Sequence, residues 1–317
     1  MKTSHLLFLV LLGTSLIACS TWKKNMTPTV ADTPGTIQLN DTLFCDESET
    51  TNFNWLEYMY WLSVAYGEDS PEYQNALPIE GIWSEQICLT AYKGEYWRKR
   101  SFASYPIVGI TQEQAENYSK WRSDRVFEYY LIKNKYMDFN LPDSVPPGYQ
   151  YFSIQGYFDG SFEPLYLKDD PSKPFIRDTT LLYPTYRLPS SLDREIMLDY
   201  ADSTDYLFAT AYPKKEQEWT NAQLAQVYLE INPCDSNMTI IEPIVDVEHG
   251  YPHMRNIKFL HNIRGNVAEW SSEEHLTFGG GWPHTRSYTY KHDTISCEQP
   301  NAWTGFRNVC TWSKFSH

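Results

Sequence analysis

The stretch that decides the fold lies in the C-terminal third of the chain, where residues 262–270 read NIRGNVAEW and residues 278–282 read FGGGW. Three consecutive glycines, at 279–281, allow the backbone to take positive φ or to approach another segment closely. Long segments with helical or strand periodicity are few around these motifs. We therefore predict a domain in which much of the C-terminal third is irregular.

Three helices can be read outward from these motifs. Asn52 is predicted to cap the first helix. Its apolar face has 3–4 spacing and is formed by Trp55, Tyr58, Met59 and Leu62. Residues 111–114 form a capping box for a second helix, which is predicted to continue to about Lys133. A third helix is predicted to begin at residues 190–193, and residues 148–152 and 157–158 to form short strands or loops.

Composition limits the partners and the class of protein. The chain has 317 residues and a net charge of −14, which argues against nucleic acid or an anionic lipid surface as the main partner. A mean hydropathy of −0.51 excludes a multi-span membrane protein. Aromatic residues make up 16% of the chain, which is too many for a disordered protein.

The first residues predict export and a lipid anchor. A basic start is followed by an apolar run from Leu6 to Ile17, which is too short to span a bilayer comfortably. Residues 16–19 then read LIAC, which resembles a lipobox, so Cys19 is predicted to carry the lipid. The alternative is an ordinary cleaved signal with an incidental cysteine. By analogy with lipoprotein sorting, Ser20 favours the outer membrane, and the lack of an acidic cluster after Cys19 favours the periplasmic face.

The chain divides into three parts at this level. Residues 1–18 are predicted to be the signal peptide, and residues 19–36 the lipidated N-terminus with a flexible tether. Residues 37–317 are predicted to form one domain with an insertion at about 134–186.

Five cysteines remain besides Cys19, and an exported chain permits disulfides. They are Cys45, Cys88, Cys234, Cys297 and Cys310. An odd number leaves at least one thiol free or paired with another chain, and the pairing stays open. No CxxC motif is present, which weakens a zinc or thioredoxin-type interpretation.

Seven short motifs stand in an order that resembles the formylglycine-generating enzyme, or sulfatase-modifying factor, family. They are ETTN at 49–52, YPIVGIT at 105–111, YRLPS at 186–190, RGNVAEW at 264–270, FGGGW at 278–282, RSY at 286–288 and GFR at 305–307. The resemblance covers about residues 37–309. It implies an α+β fold, a complex variant of the C-type lectin fold with little regular secondary structure.

The same resemblance implies a structural calcium ion. The family binds it with the segment that corresponds to 262–269, so Asn262 and Glu269 would give side-chain oxygens. Gly265 and Val267 would give backbone carbonyls. The alternative is a metal-free turn held by asparagine hydrogen bonds.

The reaction centre of the family is not present in the sequence. Family enzymes oxidise a substrate cysteine with O2 and two cysteines that bind copper, a metal for which thiolates are preferred ligands. Those two positions correspond to His284 and Thr289, and Ala268 replaces a family tryptophan. We therefore expect neither copper nor the formylglycine reaction, and we interpret the chain as a pseudoenzyme.

A helix motif points to one subgroup of the family. Residues 121–129 read WRSDRVFEY, which resembles a subgroup that includes lipoproteins of gliding motility and type IX secretion. The leading hypothesis is a non-catalytic, lipid-anchored binding or scaffold component of the cell envelope. Its partners would be the membrane, through the anchor, and an envelope protein or a glycan, without nucleic acid.

Two other functions remain open. One is an oxidoreductase, either of the formylglycine-generating type or with altered chemistry around His284, Arg286 and Tyr288. The other is a glycan-binding module whose aromatic groove would be lined by Trp282, Tyr288, Tyr290 and Trp303.

Overall fold

The structure, a computed structural model, describes residues 28–83, 94, 96–138, 146, 148–165, 175–211, 257–284 and 294–316, apart from the side chains of Ala209 and Ala211. The helices within these ranges are α1 (Asn52–Tyr66), α2 (Pro71–Gln74), α3 (Gln112–Lys133), α4 (Ile154–Asp159) and α5 (Ser191–Ala211). The strands are β1 (Thr36–Gln38), β2 (Phe44–Asp46), β3 (Leu182–Arg187), β4 (Ala268–Trp270), β5 (Leu276–Phe278), β6 (Thr294–Ser296), β7 (Thr304–Gly305) and β8 (Val309–Lys314).

Helix α1 confirms the predicted apolar face but begins with a different cap. Thr51 is the N-cap, and its side chain accepts a hydrogen bond from the backbone N–H of Asn54 at 3.2 Å. Asn52 is the first helical residue, and its side-chain amide donates to the carbonyl of Phe102 at 2.8 Å. The prediction that Asn52 caps the helix is therefore wrong by one residue, because its amide ties α1 to a distant loop.

The two later helix starts are confirmed. Thr111 and Gln114 form the capping box of α3, with bonds of 2.8 and 3.0 Å, and the helix ends at Lys133 as predicted. Ser190 precedes α5, and its hydroxyl accepts from the backbone N–H of Asp193 at 3.2 Å. Such caps satisfy backbone groups that would otherwise lack partners, a contribution of about 1 kcal/mol each.

The predicted strands or loops around residue 157 are corrected in part. Residues 157 and 158 lie in α4, whose N-cap is Ser153, with a bond of 3.0 Å from the N–H of Gly156 to its hydroxyl. The carboxylate of Asp124 on α3 accepts a second N-terminal donor, the N–H of Ile154, at 2.8 Å. Residues 148–152 are not in a helix or strand. A short helix therefore forms where two of its first donors find side-chain acceptors.

Two four-stranded sheets complete the architecture. The first has the order β1-β2-β8-β3 and is antiparallel throughout, so it joins the start of the domain to its last strand. The second has the order β6-β5-β4-β7, and its β4 and β7 run parallel. Five helices and two mainly antiparallel sheets in the described residues give an α+β domain, as predicted.

Aromatic side chains fill the main core. Trp55 on α1 and Tyr118 on α3 stack at 5.5 Å between ring centroids, and both contact Phe306 edge-on at 6.1 and 5.3 Å. Burying each of these side chains contributes roughly 1.5–3 kcal/mol. The core therefore fixes α1 and α3 against the segment between β7 and β8.

The described part of the predicted insertion builds a second aromatic cluster. Phe127 on α3 lies at its centre, edge-on to Tyr157 and stacked on Phe158, at 5.4 and 5.8 Å. Phe158 stacks in turn on Phe315 at 4.5 Å, next to the end of β8. The described residues of this stretch therefore pack on α3 and beside β8 through apolar contacts.

The last residues of the predicted tether are packed against the domain. A 3-10 turn at Val30–Asp32 leads into β1, and Thr33 is fully buried. Lys133 pairs with Asp32 at 3.1 Å, and the guanidinium of Arg122 donates to the carbonyl of Pro34 at 3.0 Å. Residues 31, 32 and 34 of the predicted tether therefore contact α3.

No helix within the described ranges has both the length and the apolar character needed to cross a membrane.

Candidate functional site

The two motifs that decide the fold are hydrogen-bonded to each other. The N–H of Gly265 donates to the carbonyl of Gly279, and the N–H of Trp282 to that of Asn266, both at 2.9 Å. Asn262 and Asn266 have φ of 50° and 57°, values that asparagine tolerates better than most residues. A side chain at Gly281 would place its Cβ 2.6 Å from the carbonyl oxygen of Trp303. The glycines are therefore needed for the close approach that the sequence predicted.

A buried ion pair lies next to these two motifs. Arg307 and Glu269 are 0% and 1% exposed, and the guanidinium contacts Oε1 of the carboxylate at 2.6 and 2.7 Å. The same guanidinium donates to the carbonyl of His261 at 2.6 Å. Arg194 on α5, also buried, donates to the carbonyl of Ile263 at 2.6 Å. Two buried arginines therefore stabilise the turn by donating to its backbone carbonyls.

The opening motif of the domain meets this turn. The carboxylate of Glu49 accepts from the amide of Asn262 at 3.1 Å and from the amide of Asn266 at 3.0 Å. Glu49 is 1% exposed, and its burial raises its pKa to about 8. Residues 49–52 and 262–270, which lie at opposite ends of the sequence, are therefore parts of one polar cluster.

The residues predicted to bind calcium lie together in this cluster. Oε1 of Glu269 is taken by Arg307, whereas its Oε2 is buried without a hydrogen-bond partner among the described residues. The amide nitrogen of Asn262 points at Glu49, which leaves the oxygen as the end that a cation would use. Gly265 and Val267 lie in the same turn. An unsatisfied buried carboxylate oxygen and an asparagine oxygen are of the ligand type that calcium prefers. The described residues contain no cluster of three or more His, Cys, Asp or Glu side chains suited to a metal.

His284 folds back onto its own turn. Nδ1 of the imidazole accepts the N–H of Gly281 at 2.9 Å, and the backbone N–H of His284 donates to the carbonyl of the same glycine at 2.9 Å. The ring contacts Trp303 edge-on at 4.4 Å. Desolvation lowers the pKa of His284, so its neutral form is favoured. The first of the two positions that correspond to the family's copper-binding cysteines therefore carries a neutral imidazole hydrogen-bonded to the backbone of Gly281.

The described cysteines do not form a thiolate pair. Cys45, Cys297 and Cys310 are buried free thiols. Burial raises the pKa of Cys310 to about 12 and raises those of the other two. Thiols in such surroundings are protonated and poorly suited to copper. Other residues named in the sequence predictions lie outside the described part of the chain: Cys19, Cys88, Cys234, Arg286, Tyr288, Thr289 and Tyr290.

The predicted aromatic groove loses one of its members. Trp282 is 8% exposed, stacks on Trp83 at 6.3 Å and donates its indole N–H to the carbonyl of Ala302 at 2.9 Å. Its ring is therefore part of the core and does not line a groove. Trp303 is partly exposed, but its ring is in contact with His284.

A different concave surface was not predicted from the sequence. It lies between α1 and α3, has a volume of about 370 Å³ and is called here the α1–α3 cleft. Its wall comprises Tyr58, Trp61, Leu62, Tyr66, Pro71, Glu72, Asn75, Ala76, Gln114, Asn117, Lys120, Trp121, Asp124 and Arg125. The available signal was the 3–4 spacing of Tyr58, Trp61 and Leu62 on α1.

The fold and the turn together define the class of the domain. An α+β domain joins its opening motif, an asparagine-glycine turn and a glycine triplet around buried arginines. A family model, described as the sulfatase-modifying factor enzyme 1-like domain, matches residues 21–311. The chain belongs to this family. No curated protein matches the chain.

Proposed function

We propose that the protein is a non-catalytic, lipid-anchored member of this family that acts as a binding or scaffold component of the cell envelope. The observation that carries the proposal is the state of His284. Its Nδ1 is held at 2.9 Å from the N–H of Gly281 and its ring lies against Trp303, so the position is filled by internal contacts. A neutral imidazole cannot form the two-coordinate thiolate pair on which the family reaction depends.

The helix motif at 121–129 supports an assignment to gliding-motility or type IX secretion lipoproteins. In α3, Arg122 pairs with Asp46 at 2.7 Å and Arg125 with Glu128 at 2.7 Å. Asp124 of the same motif accepts from the N–H of Ile154 at 2.8 Å, so the motif contacts both β2 and the stretch that we interpret as the insertion, and an insertion is a feature of the subgroup that it resembles. We extend the fold proposal to a C-type-lectin-like variant on the same resemblance. The net charge of −14 favours an envelope protein or glycan over nucleic acid as the partner.

An aldehyde assay tests the central claim. The purified full-length chain, supplied with copper and O2, is incubated with a cysteine-containing sulfatase-type peptide, and aldehyde is detected by hydrazide labelling and mass spectrometry. We expect no conversion, with a catalytically active family enzyme on the same peptide as the positive control. Conversion by the wild-type chain would overturn the proposal. If that activity were then lost in His284→Ala, it would identify altered chemistry at this turn.

The anchor proposal is tested by a pair of variants at the lipobox. We expect Cys19→Ser to move the protein from the membrane fraction to the soluble fraction, because the buried acyl chains supply about 0.8 kcal/mol per CH2 group. The control Ser20→Asp keeps the cysteine and should stay membrane-bound while changing from outer-membrane to inner-membrane density. Retention of Cys19→Ser in the membrane fraction would reject lipidation at this residue.

We also propose a structural calcium ion held by the side chains of Asn262 and Glu269 and by the carbonyls of Gly265 and Val267. The unpartnered Oε2 of Glu269 supports it. A ligand that binds only the folded state raises the melting temperature, so calcium should raise it and a chelator should lower it. Magnesium is the matched control, since it prefers smaller octahedral sites. Identical melting curves with calcium and with chelator would reject the site.

A further inference from the structure

The α1–α3 cleft combines aromatic rings with polar side chains in one concave surface. At about 370 Å³ it has the size of a small-molecule site. Tyr58 and Trp121 contact each other at 5.1 Å between ring centroids, and Trp61 contacts Tyr66 at 5.7 Å and Trp121 at 6.4 Å. Four rings from two helices therefore give the cleft a rigid apolar wall.

The side chains that line the cleft carry charges of both signs. Glu72 and Asp124 are acidic, Lys120 and Arg125 are basic, and Arg125 is already paired with Glu128 at 2.7 Å. The guanidinium of Arg125 lies 4.8 Å from the centre of the Trp61 ring, where a ligand cation would otherwise sit. The cleft therefore favours an uncharged ligand over a cation or an anion.

Several polar groups at the cleft are not used by the protein itself. No hydrogen bond joins the Tyr58 hydroxyl, the Trp61 indole N–H or the Asn117 amide to any other described residue. The same holds, within the described ranges, for the side chains of Glu72 and Lys120. Indole and ammonium groups only donate, a carboxylate only accepts, and hydroxyl and amide groups do both. A ligand that fits must therefore offer both donors and acceptors.

These features together select one class of ligand. The hydroxyl groups of a sugar donate and accept, and the C–H faces of a pyranose ring pack on aromatic rings. A proline-rich peptide also packs on aromatic walls, but its backbone offers acceptors and few donors for Glu72 and Asn117. We propose that the α1–α3 cleft binds an uncharged pyranose sugar, as one or two units of a neutral oligosaccharide. This proposal rests on the binding role proposed above and names its ligand class.

Two neutral trisaccharides, cellotriose and triacetylchitotriose, are the probes. Binding to the purified full-length chain is followed by tryptophan fluorescence, because Trp61 and Trp121 lie in the cleft wall, and by calorimetry. The cleft variants are Asn117→Ala and Tyr66→Ala, at exposed residues. The controls Glu116→Ala and Tyr60→Ala are exposed on the same two helices outside the cleft.

We expect saturable binding of at least one trisaccharide at millimolar concentration or below. Each cleft variant should weaken it about tenfold, and each control variant should leave it unchanged. Absence of saturation with both sugars would overturn the inference. Equal losses in cleft and control variants would do the same, as would stronger binding of trigalacturonate or of a proline-rich peptide. Circular dichroism melts show whether each variant is folded.

The two proposals fail in different ways. Aldehyde formation in the peptide assay together with saturable trisaccharide binding would overturn the non-catalytic role and support the sugar site. A chain that forms no aldehyde and binds neither trisaccharide would leave the non-catalytic role standing and reject the sugar site.

Discussion

The turn at residues 281–284 and the α1–α3 cleft use their side chains in opposite ways. In the turn, the imidazole of His284 accepts the backbone N–H of Gly281, and the indole of Trp282 donates to the carbonyl of Ala302. In the cleft, Asn117 and Lys120 are exposed side chains without hydrogen bonds to other described residues. Membership of the family therefore does not by itself locate a binding site. The described part of the turn, which includes the position of the family's first reacting cysteine, makes its hydrogen bonds internally, whereas Asn117 and Lys120 of the cleft make none with other described residues.

The largest expected effect is the loss of stability on removing the buried ion pair next to the turn. Arg307→Met would leave Glu269 buried without its counter-charge, and such losses cost about 3–5 kcal/mol. Urea denaturation measures the change in the free energy of unfolding. The control Arg264→Met removes a more exposed pair with Asp202 and should cost no more than about 1 kcal/mol. Equal losses in the two variants would contradict the buried pair as the support of the turn.

The next effect comes from the close approach at Gly281. Its φ is not in the positive range, so alanine is acceptable to the backbone conformation itself. The added Cβ, however, would lie 2.6 Å from the carbonyl oxygen of Trp303 and 3.1 Å from the nitrogen of Ala268. Gly281→Ala should therefore cost about 1–3 kcal/mol, as overpacking does. An unchanged melting temperature in this variant would contradict the prediction, because it would mean that the turn can shift to accommodate the added methyl group.

A smaller effect should appear in the pH dependence of stability. The pKa of His284 is lowered from 6.5 by desolvation, so below 6.5 the unfolded chain binds the proton more readily than the native chain. Its contribution is fully present above pH 6.5 and is lost as the pH falls through the lower, native pKa. The loss in the free energy of unfolding between a pH above 6.5 and a pH below 6.5 should therefore be smaller in His284→Gln than in wild type. An NMR titration midpoint at or above 6.5 for this imidazole would contradict the prediction.

The smallest effect is expected in the cleft. Asn117→Ala removes an exposed side chain that bonds to no described residue, so the free energy of unfolding should change by less than about 0.5 kcal/mol. Thermal melts of the variant and of Glu116→Ala should coincide with that of wild type. A larger loss in Asn117→Ala alone would mean that the residue supports the fold, and the contrast between the two regions would disappear.

Features set by neighbouring residues were predictable from the sequence. The capping box at Thr111 and Gln114 and the start of α5 at Ser190 follow from contacts three residues apart. The cap of α1 was placed one residue late because both Thr51 and Asn52 are good caps, and only the distant carbonyl of Phe102 decides between them.

Features set by distant residues were not predictable from the sequence alone. The bond between Glu49 and Asn262 joins residues that are 213 positions apart. Trp282 is buried, but nothing in the sequence distinguishes it from an aromatic residue at the surface. The α1–α3 cleft exists only because two helices about fifty residues apart pack on each other, and neither helix carries the signal alone.

The contacts of the first described residues bear on how far the domain can stand from a membrane. If Cys19 carries the lipid, nine peptide steps (28 − 19) separate the anchor from Pro28, which is buried. Even fully extended, this length spans only about 30 Å. Since Lys133 and Arg122 hold residues 32 and 34 on α3, a mechanical pull on the lipid would act directly on that helix. The same helix lines the cleft, so the lipid and the cleft would be linked through α3.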